Sequence, residues 1–63
     1  MRNTIKVFRA MNNLSQDDLA KKLEVSRQTI INIEKDKTEP SIKLALKMAK
    51  ILGAKIEELF LAD

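Results

Sequence analysis

Arg27, Gln28, Thr29, Ile31 and Asn32 crowd into six residues a guanidinium, two carboxamides, a hydroxyl and an apolar methyl-bearing chain. A guanidinium or carboxamide can engage a base edge through two hydrogen bonds at once, and an aliphatic side chain matches the thymine methyl. This is the chemistry of recognition, not of bond-making. The rest of the chain points the same way, with no histidine, no cysteine, one glycine and no cluster of carboxylates away from helix ends. Nucleophile–base pairs, phosphate loops and metal-ligand sets all need residues that are missing here. The expectation is a binding protein that is not an enzyme and has no cofactor and no metal.

Recognition side chains must be held by something rigid, and residues 15–34 supply it. They read as two short helices joined by the three-residue turn Glu24-Val25-Ser26, each helix opened by a serine that can accept from a first-turn amide: Ser15 and Ser26. Leu19, Ala20 and Leu23 give the first helix its buried face, and Ile30 and Ile33 do so for the second. Val25 in the turn wedges the two apart. Once these apolar positions are assigned to packing, the polar set from Arg27 to Asn32 faces outward. The pattern is a helix-turn-helix, and duplex DNA is the partner it implies.

With one glycine, one proline and no alternating β-branched run, the whole chain reads as all-α: a compact five-helix domain with a central helix-turn-helix, spanning residues 1–63 as a single unit. The first helix is expected over about 4–11, with Asn3 as cap and Ile5, Phe8 and Met11 as its inward stripe. Ser41 opens a fourth helix whose stripe is Ile42, Ala45, Met48, Ala49 and Leu52, and Gly53 stops it. Ile56, Leu59 and Phe60 make a short fifth. Leu44, Ile51 and Leu61 are left outside the core and are candidate contacts of a homodimer.

At 63 residues with no disulfide, the domain sits near the lower size limit for a hydrophobic core acting alone. No apolar run reaches signal-peptide or membrane-span length, so the expected setting is cytoplasmic, with no membrane partner. The net charge of +3 agrees with a nucleic-acid ligand without requiring one, and the first fourteen residues carry Arg2, Lys6 and Arg9 with no acid. Lys35, Lys37, Thr38 and Lys43 are candidate phosphate contacts around the loop after the second motif helix. Gln16, at the N-terminus of the first, is another. Lys6, Lys21, Lys22, Lys47, Lys50 and Lys55 read as solvating residues.

Leu-Ser-Gln-Asp-Asp-Leu-Ala at 14–20, Val-Ser-Arg-Gln-Thr-Ile at 25–30, Ile-Glu at 33–34, Pro-Ser-Ile at 40–42 and Ile-Leu-Gly at 51–53 together resemble the lambda-repressor-like domains of the Cro and XRE group of phage and bacterial regulators. The resemblance implies a sequence-specific regulator, a repressor acting as a homodimer, with Arg27, Gln28, Thr29 and Asn32 in the major groove and Gln16 on the backbone. It also implies an ion pair between Arg9 and Glu34. The chain departs from the group at Asn13, Glu24 and Asp36, where glycine is usual. The competing expectation is a protein-interaction module such as the antitoxin of a toxin pair. No small-molecule effector is evident.

Overall fold

The computed structural model describes residues 2–61, which run β1 (Arg2–Asn3), α1 (Ile5–Met11), α2 (Gln16–Leu23), α3 (Arg27–Glu34), α4 (Ile42–Leu52), α5 (Ile56–Leu59) and β2 (Phe60–Leu61). Serines start three of the helices as their chemistry predicts. Ser15, Ser26 and Ser41 accept through Oγ from the backbone N–H of Asp18, Thr29 and Leu44 at 3.0, 3.2 and 3.1 Å. At α2 the cap is reciprocal: the Ser15 amide donates to Asp18 Oδ2 at 3.0 Å. That amide, and then the Ser15 hydroxyl, hold the Asp18 carboxyl below its ordinary pKa. Asn3 caps α1 from one residue further out, its Oδ1 accepting from the Ile5 amide at 3.2 Å.

Four helices end the same way. Asn13, Glu24, Asp36 and Gly53 all adopt the left-handed conformation, with φ of 56, 59, 58 and 66°. After each, the next amide reaches back to a carbonyl five residues earlier: Leu14 to Arg9, Val25 to Ala20, Lys37 to Asn32 and Ala54 to Ala49, at 2.9–3.0 Å. This is the Schellman closure, in which the residue after the left-handed one commonly packs on the helix it terminates. Leu14, Val25 and Ala54 do pack against the core. The positions at which the sequence departs from glycine are thus the ones that turn the chain.

The core is built from Ile5, Leu19, Ala20, Leu23, Ile30, Ile33, Met48, Ala49, Leu52 and Leu59, all buried. Three expectations are corrected. Met11 is 69% exposed, because steps of three fall short of the helical repeat and two such steps from Ile5 carry it off the inward face. Ile42 is 80% exposed, whereas Leu44 and Ile51 are half-buried against the core. Eight of the eleven α4 residues are apolar, with Lys43, Lys47 and Lys50 confined to one strip, so periodicity alone leaves two equivalent apolar shoulders. Neighbours decide between them: Leu23 and Val25 flank the shoulder of Leu44, and the Ile42–Leu46 shoulder stays open.

Phe60 does not extend the last helix as expected. It pairs with Asn3, and Leu61 with Arg2, in a short antiparallel ribbon. The physical reason lies in the carbonyls of α5: Thr4 donates its amide to Leu59 O at 2.9 Å and its hydroxyl to Glu58 O at 2.6 Å. These bonds satisfy groups that a four-residue helix leaves unpaired.

Glu24 is exposed and left-handed, a conformation that costs a side chain about 1–2 kcal/mol, offset in glycine by about 0.5–1 kcal/mol of lost chain entropy. Glu24→Gly should therefore raise stability by about 0.5–1 kcal/mol. The urea midpoint reads this directly, and a fall would mean that the glutamate side chain outweighs the strain.

Candidate nucleic-acid interface

Ile30 and Ile33 bury one side of α3. The opposite side carries Arg27 and Gln28, both exposed, and the half-buried Asn32. Gln28 Nε2 donates to Asn32 Oδ1 at 3.0 Å, so the two carboxamides form one patch. Thr29 is turned elsewhere: it is half-buried, and its hydroxyl lies 2.9 Å from Ser26 Oγ at the start of its own helix. Ile31 is half-buried and lines a cleft beside Arg9 and Glu34.

At the far end of α3 stands an ionic node. Arg9 Nε donates to Glu34 Oε2 at 2.7 Å and Arg9 Nη2 to Glu34 Oε1 at 3.3 Å, with side chains only 13% and 10% exposed. The remaining arginine nitrogen, Nη1, donates to Leu14 O at 2.9 Å. Gln16 Nε2 donates to Glu34 Oε1 at 3.2 Å. One carboxylate thus joins α1, the start of α2 and the end of α3. No buried side-chain nitrogen or oxygen among the described residues lacks a partner. Beside the node lies a cleft of about 400 Å³ lined by Asn3, Lys6, Arg9, Gln16, Ile31, Glu34 and Lys35. Lys6, which the sequence assigns to solvation, therefore stands with Lys35 at the cleft.

Beyond α3, Lys35, Lys37 and Thr38 are exposed, as is Lys43 in the first turn of α4. The amides of Asp36 and Lys37 are consumed by Ile33 O and Asn32 O. This loop accordingly offers side chains to an anion at those positions, not backbone. Asn3 fixes it from the other side, sharing Nδ2 among Ile33 O, Glu34 O and Asp36 Oδ1 at 3.0, 3.3 and 3.1 Å. Sequence reasoning saw Asn3 only as a cap, since nothing in spacing links residue 3 to residues 33–36. The Gln28–Asn32 bond had a signal, the i,i+4 spacing of two amides on a helix. Among the described residues no group of three or more acids, cysteines or histidines is placed to hold a metal ion. No described helix is long and apolar enough to cross a membrane.

Comparison with known proteins fits this geometry, since the helix-turn-helix family model matches residues 5–59. The chain belongs to the Cro/XRE-type helix-turn-helix family. An uncharacterized HTH-type transcriptional regulator of Methanocaldococcus jannaschii is 62% identical over all of this chain and 96% of its own length. Among solved structures, the restriction-modification controller protein C.AhdI of Aeromonas hydrophila superposes with a TM-score of 0.78 at 28% identity, over 89% of this chain and 85% of that one. The biofilm master regulator SinR, solved in complex with DNA, gives 0.75 at 28% identity, over 84% and 86%. Members of this helix-turn-helix family are DNA-binding transcriptional regulators, a non-enzymatic class.

The Arg9–Glu34 pair generates a test of the frame. Removing the carboxylate leaves a nearly buried guanidinium without its partner, so Glu34→Ala should cost about 2–4 kcal/mol of stability. Chemical denaturation measures it. A midpoint equal to wild type would show that the node contributes nothing to the fold.

Proposed function

We propose that this protein is a sequence-specific repressor that lays α3 in the major groove of duplex DNA and binds its site as a homodimer in the cytoplasm. The observation that carries the reading is the division of α3 into two faces. One is anchored by Ile30, Ile33 and the Glu34 node, while the other leaves Arg27, Gln28 and Asn32 outward. A rigid helix with an exposed fringe of planar hydrogen-bonding groups suits the groove, which admits a helix and displays a distinct donor–acceptor pattern for each base pair. Thr29 contributes its methyl edge, its hydroxyl being engaged with Ser26. Gln16, Lys35, Lys37, Thr38 and Lys43 serve as phosphate contacts, setting register without reading sequence. Repression is the simplest output of such a domain, because occupying a promoter excludes other proteins from it. The relationship to SinR, solved with DNA, supports the same mode of use.

For the homodimer, Leu61 remains a contact, and the open shoulder of Ile42 and Leu46 joins it beside a groove lined by Pro40, Ala45, Ile56 and Phe60. Leu44 and Ile51 offer a partner only what the core leaves uncovered. A two-fold pair would set its recognition helices about 34 Å apart, one turn of duplex.

Two measurements test this. On a duplex selected from a random pool, Gln28→Ala should cost about 1–3 kcal/mol and relax preference at one base pair per half-site. Lys37→Ala should instead weaken selected and scrambled duplexes alike and lower the slope of log affinity against log salt by about one. Equal weakening of both duplexes by Gln28→Ala would remove α3 from the groove. Analytical ultracentrifugation with the selected duplex should find two protomers per site, and Leu46→Asp or Leu61→Asp should abolish that stoichiometry. One wild-type protomer per specific site would refute the dimer.

A further inference from the structure

The bond between Gln28 and Asn32 fixes more than the position of two side chains. Gln28 Nε2 donates to Asn32 Oδ1 at 3.0 Å, which uses one of the two Nε2 protons and leaves the other, with Oε1, available on the exposed edge. That remaining acceptor–donor pair is the complement of adenine, which presents N6–H and N7 side by side in the major groove. For Asn32 the outcome is different. Its oxygen spends one of two lone pairs on Gln28 while both protons of Nδ2 stay free, so Asn32 is left with more to donate than to accept. A carboxamide reads adenine by two bonds only with oxygen and nitrogen presented together. Asn32 held in this way favours a base that shows acceptors and no amino donor in the major groove, guanine (O6 and N7) or thymine (O4).

Among the described residues the Gln28 side chain makes no other hydrogen bond. Gln16 gives one amide proton to Glu34 at 3.2 Å, and the Thr29 hydroxyl lies 2.9 Å from Ser26 Oγ. A glutamine on an exposed helix surface otherwise samples many rotamers, and fixing them on binding costs affinity. A partner one turn away removes part of that cost before DNA arrives.

We infer that Gln28 and Asn32 read DNA as one unit, in which Asn32 sets the orientation that makes Gln28 select adenine while itself donating to guanine or thymine at a neighbouring pair. The inference rests on the placement of α3 in the groove. It adds a claim that placement alone does not make: discrimination at the Gln28 base pair depends on a residue that does not touch that pair.

The test uses the full chain, wild type and the variants Gln28→Ala, Asn32→Ala, Asn32→Asp and the double alanine. Each is titrated against the selected duplex with all four bases substituted at each half-site position. At the pair whose preference Gln28→Ala relaxes, Asn32→Ala should reduce the preference for adenine by about threefold or more, and the double variant should lose no more than about twofold of the preference that Gln28→Ala leaves, since contacting residues are not additive. Asn32→Asp separates the two roles, because its carboxylate still accepts from Gln28 Nε2 but has no proton for a base. It should keep the adenine preference within about twofold while losing its own guanine or thymine preference; the added negative charge weakens all duplexes alike and cancels in the ratio. An adenine preference untouched by Asn32→Ala, or independent losses that multiply in the double variant, overturns the coupling alone. Loss of the adenine preference in Asn32→Asp overturns the direction of the bond and the base assignments with it. A wild-type protein that does not distinguish selected from scrambled duplex overturns the groove placement and this inference together.

Discussion

The Glu34 carboxylate is where three helices are made to agree. A domain of this size has too little buried surface to fix helix orientation by hydrophobic packing alone, because aliphatic contacts tolerate sliding. Arg9 approaches Glu34 with two nitrogens, and Gln16 adds a third donor. Directional bonds of this kind do not tolerate sliding. Burying the pair costs desolvation that its mutual attraction only partly returns, so its contribution is geometric: it sets where the end of α3 lies relative to α1 and α2. The outward face of α3 inherits its orientation from that constraint.

The left-handed exits act on the same problem at a different scale. Each helix is short, and none of the first three has a turn to spare. A Schellman closure both satisfies the last carbonyls and folds the following residue back onto the helix, so the next element starts from a defined position. After α1, α2 and α4 that residue is Leu14, Val25 or Ala54, and it packs on the core. After α3 it is Lys37, exposed. The closure of α3 therefore ends in a charged residue where the others end in an apolar one. Asn3, bonded to Ile33 O and Glu34 O, supplies the tether that an apolar residue gives elsewhere.

Much of this was legible in the residues themselves. Ser15, Ser26 and Ser41 mark helix starts because their hydroxyl chemistry is local, and Asn13 and Gly53 mark exits because asparagine and glycine tolerate the left-handed turn. Glu24 and Asp36 stand out only through the resemblance, which puts glycine there. The inward faces of α2 and α3 follow from helical spacing. What spacing could not resolve was α4, where apolar residues cover most of the circumference and the choice of buried shoulder belongs to whichever neighbour arrives. Nor could it foresee the ribbon of residues 2–3 with 60–61, since two-residue strands carry no periodicity. At the interface, residue types named the outward set, but the orientation of each amide depends on its hydrogen-bond partner. Thr29 illustrates the limit: spacing puts it in the outward set, while its hydroxyl lies against the Ser26 cap.

The ribbon has a consequence for how the molecule breathes. Two residue pairs hold it, far less than the buried contacts that hold the helices, so it belongs to the part of the structure that opens at low free energy without global unfolding. Asn3 is both a strand residue and the tether of the α3 terminus. Fraying at the edge of the domain therefore releases the carbonyls of Ile33 and Glu34 from Asn3, while Ile30 stays packed and Arg9 keeps the Glu34 carboxylate. Seen as a mechanical part, α3 is clamped at its centre by Ile30 and at its end by the Glu34 carboxylate, and the ribbon bears only on the backbone carbonyls of its last turn.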